Sequence, residues 1–186
     1  MATLSFIMIS RLLYDKGYTQ YVEAARIIKQ KYPKTIFKIL GSIDEDYPNH
    51  VPYEKIKEDI ESGVIEYLGY DPNVRSVIEN TDCVVLPSFY NEGLSRVLME
   101  ALAMKKVIIT TNIPGCKETV DNGLNGYLCE PKSTSSLVEC MQRVILLSDE
   151  ERIKMGNIGR KKAEDIFDIS KVISTYHQIT NQYLNK

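Results

Sequence analysis

Short aliphatic runs separated by amphipathic stretches leave this chain few folds to choose from. Buried-looking strands read over residues 4–9, 35–40, 64–68, 83–86 and 107–110, with a last short one at Tyr127 and Leu128. Between them the spacing turns helical. From Tyr18 onward apolar residues recur at Tyr21, Val22, Ala25 and Ile28, one face of a helix that Tyr32 and Pro33 bring to an end. Residues 53–62 predict a charged helix with Ile56 and Ile60 as its apolar stripe, and Pro72 opens a short helix over 73–79. Strands alternating with helices need crossover connections, which build a parallel sheet covered on both faces. The expected fold is therefore α/β, with a doubly wound, mostly parallel sheet.

After Pro131 the pattern becomes all-helical. Leu137, Met141 and Val144 share one face, Ser148 and Glu151 are spaced as a capping box, and Asp168 is placed to cap the last helix. One domain is expected over 1–186, its sheet core running to about residue 130 and its C-terminal helices over 131–186.

Composition narrows the partner. With 23 Lys+Arg against 25 Asp+Glu, no basic footprint argues for nucleic acid and no polybasic tract for a membrane surface. A small-molecule partner is expected. Cys83, Cys116, Cys129 and Cys140 lie far apart with no C-x-x-C, and three of them fall in strand- or helix-like stretches where Cys behaves as a small buried hydrophobe, which fits a reduced, cytosolic compartment. No apolar run is long enough to span a bilayer, and residues 4–9 are too short for a signal sequence.

In a doubly wound sheet, ligands bind beyond the carboxyl ends of the strands. Arg11 and Lys16 follow the first strand, Gly41 the second, Gly69 and Tyr70 the third, and Glu92, Gly93 and Leu94 the fourth, with Glu100 in the helix beyond. Two cations, a glycine turn and a helix N-terminus facing one crevice would suit a diphosphate. The same residues also read as solvated loop charges, with Glu92 and Glu100 as compensation of a helix dipole.

The order of these residues resembles a known family. Arg11-Leu12-x-x-x-Lys16-Gly17, then Glu92-Gly93-Leu94 with Glu100 eight residues after Glu92, is similar to the Arg…Lys-Gly and E-x7-E signatures of retaining GT-B glycosyltransferases of the group-one, family-four type. The similarity continues through 101–108, Gly115 to Glu118 and Asn122 to Tyr127. It is closest to the bacterial enzymes that build capsule, exopolysaccharide or lipid-linked oligosaccharide from UDP-sugars.

The resemblance implies a Rossmann-like GT-B half, the C-terminal donor-binding one. Its partners would be a nucleotide-sugar donor, a saccharide or lipid-linked acceptor, and a separate N-terminal acceptor domain absent from this sequence. Without that domain the chain is expected to be inactive. In these implied roles Arg11 and Lys16 hold the diphosphate and neutralise charge on the leaving nucleotide, and the Gly93 and Leu94 N–H groups add to the cradle. Glu92 would accept hydrogen bonds from donor-sugar hydroxyls and Glu100 from the ribose, while Gly41 and Tyr70 frame the nucleotide. The family's transfer proceeds by front-face attack and needs no metal or other cofactor, the nucleotide-sugar being a substrate. A cytoplasmic enzyme is implied, touching the inner face of a membrane only through the absent half. The alternative is a nucleotide-sugar-binding module, or a truncated fragment, that does not turn over.

Other features read as structural. Asp44-Glu45-Asp46 spells a D-x-D in a polar loop that departs from the family's glycine-rich turn after Gly41, and is expected to be a solvated excursion. His50 and His177 neighbour no candidate nucleophile. Lys105 and Lys106 are placed to compensate a helix C-terminus, and the twelve tyrosines are spaced for half-buried packing. Glu118 serves equally as a sugar-pocket residue or as a helix-start group.

Overall fold

The computed structural model describes residues 3–90 and 93–184. In it, the strands are β1 (Ser5–Ile9), β2 (Ile36–Leu40), β3 (Glu66–Tyr67), β4 (Cys83–Leu86), β5 (Val107–Thr111) and β6 (Gly126–Cys129). The helices are α1 (Tyr18–Lys31), α2 (Tyr53–Glu61), α3 (Val74–Glu79), α4 (Arg96–Ala103), α5 (Thr134–Leu146), α6 (Asp149–Ile166) and α7 (Ile169–Leu184). All five strand pairings are parallel, in the order β3-β2-β1-β4-β5-β6. The doubly wound sheet expected from the alternation is present.

Central strands are covered on both sides, so they are apolar throughout rather than alternating. Every residue of β1, β4 and β5 is buried. Successive β1 residues feed opposite cores. Phe6 and Met8 pack with α1, Ile56 of α2 and the inner face of α5, where the Phe6 and Phe37 rings stack at 5.3 Å. Ile7 and Ile9 pack with α3, α4 and Ala163 of α6. The capping box at Ser148 forms as expected, Ser148 accepting from the Glu151 N–H and the Glu151 carboxylate from the Ser148 N–H. Asp168 accepts from the Ser170 N–H at the start of α7.

Three expectations need correction. β3 pairs over only Glu66 and Tyr67, because Val64 and Ile65 are drawn into the core beneath α2 instead of along the sheet edge. The stripe of α2 is not Ile56 with Ile60. Ile56 is buried, but Ile60 is exposed and its neighbour Asp59 is 1 % exposed. That carboxylate accepts from the Tyr18 hydroxyl at 3.0 Å, from the Lys55 ammonium at 3.0 Å and from the Arg26 guanidinium at 3.3 Å. A buried charge is tolerated where hydrogen bonds and counter-charges replace its water. Burial, then the Asp59 charge, pushes the Tyr18 phenol far above its usual range. The tyrosines also divide more sharply than expected: Tyr18 and Tyr21 are fully buried, whereas Tyr53, Tyr70, Tyr176 and Tyr183 are exposed.

Lys106 does compensate a helix end, but that of α3, donating to the Glu79 carbonyl at 2.8 Å. The four cysteines are buried and unbridged. Burial pushes the Cys129 thiol up to about 12 and the Cys140 thiol up to about 11, so both behave as inert hydrophobes. Among the described residues no helix is long and apolar enough to cross a membrane.

Replacing Asp59 with Ala leaves the Tyr18 hydroxyl buried without its acceptor, at a cost of about 1–3 kcal/mol. Urea denaturation is expected to show that loss for Asp59→Ala and a smaller one for Asp59→Asn, which keeps acceptor oxygen for Tyr18. Equal stability of Asp59→Ala and wild type would contradict the assignment.

Candidate functional site

Strand order reverses between β1 and β4, since the chain lays β2 and β3 to one side of β1 and β4, β5 and β6 to the other. The connections leaving β1 and β4 therefore run to opposite faces and open a crevice at their carboxyl ends. Gly17 joins its two walls. It ends the single turn Tyr14–Lys16 and starts α1 with φ 85°, and a Cβ placed on it would lie 2.2 Å from the Pro87 carbonyl oxygen. Only a residue without a side chain permits both.

Backbone bonds complete the joint. The Asp15 carbonyl accepts from the Phe89 N–H at 2.9 Å, the Tyr90 N–H at 3.1 Å and the Ser88 hydroxyl at 3.3 Å. Thr110 at the end of β5 donates to the Leu86 carbonyl at 2.7 Å, and Thr111 donates to that of Ser88. Residues 86–90 are thus held from both sides.

Arg11 and Lys16 both lie on the β1–α1 wall. The Arg11 guanidinium contacts the Asp44 carboxylate at 2.8 Å and lies 5.3 Å over the Tyr47 ring. The Lys16 ammonium lies 4.6 Å over the Tyr90 ring. The neighbouring Tyr90 side chain, then some desolvation, raises the Tyr47 phenol above its usual value. Beside them Lys132 lies 4.7 Å over the Phe89 ring.

Asp44 thus departs from the expected solvated excursion. The loop 42–52 returns over the β1–α1 turn, because Leu12 and Tyr14 donate to the Ser42 and Asn49 carbonyls and Val51 donates back to that of Leu12, each at 2.9 Å. Asn49 also donates to the Asp15 carboxylate at 2.9 Å, and a His50 ring nitrogen lies 2.8 Å from the Tyr47 carbonyl. The D-x-D was visible in the sequence. Nothing there marked Tyr47, Tyr90 or Lys132, since tyrosine and lysine in loops carry no periodicity.

The remaining residues fall into place around this joint. Gly41 closes β2, donating to the Gly69 carbonyl and accepting from the Tyr67 hydroxyl, both at 2.8 Å. A Cβ on Gly41 would lie 1.7 Å from the Ser10 carbonyl oxygen, so its glycine is explained by packing against the end of β1. Tyr70, on the same rim, is 73 % exposed. Gly93 and Leu94 are exposed and precede α4, whose N-cap is Ser95. The Ser95 N–H is already bonded to the Gly115 carbonyl. Glu100 lies one turn into α4, its carboxylate 3.4 Å from the Arg96 guanidinium. Glu118 accepts from the Gly115 N–H at 2.8 Å, closing its own turn. Glu92 lies outside the described residues.

Among the described residues, no group of three His, Cys, Asp or Glu side chains is clustered as a metal site. A groove of about 740 Å³ between 31–35 and 145–152 sits at the amino end of the sheet, away from this crevice.

Residues 3–162 match the family described as Glycosyl transferases group 1, and the chain belongs to it. A Campylobacter jejuni N,N'-diacetylbacillosaminyl-diphospho-undecaprenol alpha-1,3-N-acetylgalactosaminyltransferase is 31 % identical over 86 % of this chain and 39 % of its own length. The capsular polysaccharide biosynthesis glycosyltransferase CapM of Staphylococcus aureus is 26 % identical over 96 % of this chain and 46 % of its own. Among solved structures, a glycosyltransferase from Rickettsia africae superposes with a TM-score of 0.86 at 25 % identity, over 99 % of this chain and 48 % of that one. Anabaena Alr3699/HepE in complex with UDP superposes at 0.84 with 18 % identity, over 97 % and 49 %. The sheet and its helices are those of one half of a GT-B glycosyltransferase. The chain spans about half the length of these relatives.

Gly17→Ala is expected to cost about 2–4 kcal/mol, from left-handed backbone imposed on a residue with a Cβ and a clash that only a shift of the two crevice walls relieves. The denaturant midpoint should fall accordingly, and an unchanged midpoint would show that the walls are not joined there.

Proposed function

We propose that this chain is the donor half of a retaining hexosyltransferase. It binds a nucleotide diphosphate sugar, a UDP-sugar, and with an N-terminal partner domain transfers the sugar to a saccharide or lipid-linked acceptor in surface polysaccharide synthesis. The observation that carries this reading is the pair Arg11 and Lys16 on one wall of the crevice at the reversal of strand order, with the opposite wall fastened to them through Gly17 and Asp15. Likeness to the capsule and diphospho-undecaprenol enzymes supports the class of acceptor, and likeness to the UDP-bound Anabaena fold supports the donor.

In this reading the chemistry is electrostatic. Departure of the nucleoside diphosphate leaves growing negative charge on the phosphate oxygen, and cations already held in place stabilise that charge without reorganising. Arg11, a planar fork of donors, suits two phosphate oxygens at once, and Lys16 acts as a point charge. Gly93 and Leu94 offer backbone N–H groups beside them, Glu92 takes the sugar hydroxyls, Glu100 the ribose, and Gly41 with Tyr70 borders the nucleotide. The leaving phosphate collects the acceptor's proton on the same face, so no metal or other cofactor is part of the proposal. The chain would work in the cytoplasm, with any membrane contact through the other half.

Calorimetric titration with UDP-, GDP- and ADP-sugars tests the donor. UDP-sugars are expected to bind, and Arg11→Ala and Lys16→Ala each to weaken them by about ten- to a hundredfold, the range for one charged hydrogen bond at 1.4 kcal/mol per tenfold. Glu100→Ala should weaken UDP but not inorganic pyrophosphate. Affinities that none of the three substitutions alters would overturn the site. UDP that raises the melting temperature without sugar reaching any acceptor would describe the chain as a donor-binding module.

A further inference from the structure

Three residues that the donor reading does not use, Asp44, Tyr47 and Tyr90, lie against its two cations. Arg11, Tyr47, Tyr90 and Lys16 form one line: guanidinium on ring, side chain on side chain, ring under ammonium, with the Asp44 carboxylate closing the Arg11 end. Arg11 and Lys16 belong to the β1–α1 wall, Tyr90 to the polypeptide after β4, and Asp44 and Tyr47 to the loop after β2. Three connections therefore meet above the place where the diphosphate would lie.

We propose that residues 43–48 form a strap over the donor crevice, in which Asp44 holds the Arg11 guanidinium and Tyr47 reaches Tyr90 until an entering diphosphate takes Arg11 from Asp44. The proposal rests on the donor reading above.

The way the loop is tied favours this motion over a wholesale one. Its two ends are fixed by Leu12 to Ser42, Tyr14 to Asn49, Val51 to Leu12 and the bridge between Leu13 and His50. Val51 is fully buried. Between these ties, the tip closes on itself through a bond from the Tyr47 N–H to the Asp44 carbonyl at 3.0 Å, and reaches the crevice through side chains alone.

Those side-chain ties are weak enough to exchange. The Arg11 and Asp44 side chains are 46 % and 32 % exposed, and an ion pair so open to water changes an equilibrium by no more than about fivefold. A diphosphate presents more than one negative charge and several oxygens to the same fork, so it displaces a single carboxylate. In the absence of ligand, Asp44 offsets the Arg11 guanidinium. Asp44 and Tyr47 then set how tightly the donor is held, and the charge balance of the loop after β2 tunes affinity without touching the nucleotide.

Calorimetry with UDP and with inorganic pyrophosphate on wild type, Asp44→Asn, Tyr47→Phe and Arg11→Ala tests the strap, with hydrogen exchange of segment 43–48 as a second readout. Asp44→Asn is expected to tighten both ligands about two- to fivefold, and Tyr47→Phe to tighten them by a smaller factor. Exchange at 43–48 should rise when UDP is added to the wild type. If Arg11→Ala abolishes binding but Asp44→Asn weakens it or leaves it unchanged, Asp44 does not compete with the ligand and only the strap is overturned. If neither ligand binds wild type or Asp44→Asn, the strap and the donor site fall together. Unchanged or slower exchange at 43–48 in the complex also overturns it.

Discussion

Between Gly17 and the Pro87 carbonyl there is no room for a side chain, and much of the crevice follows from that contact. It brings the start of α1 against the chain leaving β4, so two connections that diverge to opposite faces of the sheet are pinned at their roots. The Asp15 carbonyl then receives the N–H groups of Phe89 and Tyr90, and Lys16, one residue on, comes over the Tyr90 ring. A parallel sheet gives such a joint its rigidity: β1 and β4 are wholly buried, and their carboxyl ends cannot shift without disturbing both cores.

Upon this frame the crevice gathers positive charge and partly offsets it. Three of its cations lie on aromatic rings, Arg11 on Tyr47, Lys16 on Tyr90 and Lys132 on Phe89, and Arg11 also has Asp44. Ring faces attract a cation through their negative quadrupole. The buried ion cluster of Asp59 behaves differently. It sits between α1 and α2 with a hydroxyl and two cations around one carboxylate, where leaving a partner unpaired is costly, and so it serves structure.

Much of the fold was legible in the sequence because its signals are local. Aliphatic runs between glycine turns marked β1, β2, β4 and β5, and the spacing of Tyr21, Val22, Ala25 and Ile28 marked α1. The capping box needed only Ser148 and Glu151. Resemblance to the group-one glycosyltransferases, resting on Arg11, Lys16, Glu92 and Glu100 in their order, agrees with the family to which residues 3–162 belong. Where the reading failed, the deciding contact was distant. Ile60 looked as apolar as Ile56, but Tyr18, forty-one residues before Asp59, made a carboxylate the better inward group.

The sequence by itself determined which segments become strands and helices, that the strands run parallel, and which connections carry the candidate donor residues. Hydrophobic period and turn chemistry are properties of neighbouring residues, and they survive in a linear text. Only the tertiary structure decided that the polar loop after β2 lies across the crevice, with Asp44 on Arg11 thirty-three positions away and Tyr47 against Tyr90. Strand order sets which loops share an end of the sheet. Side-chain reach then sets which charges meet, and no local spacing encodes either one.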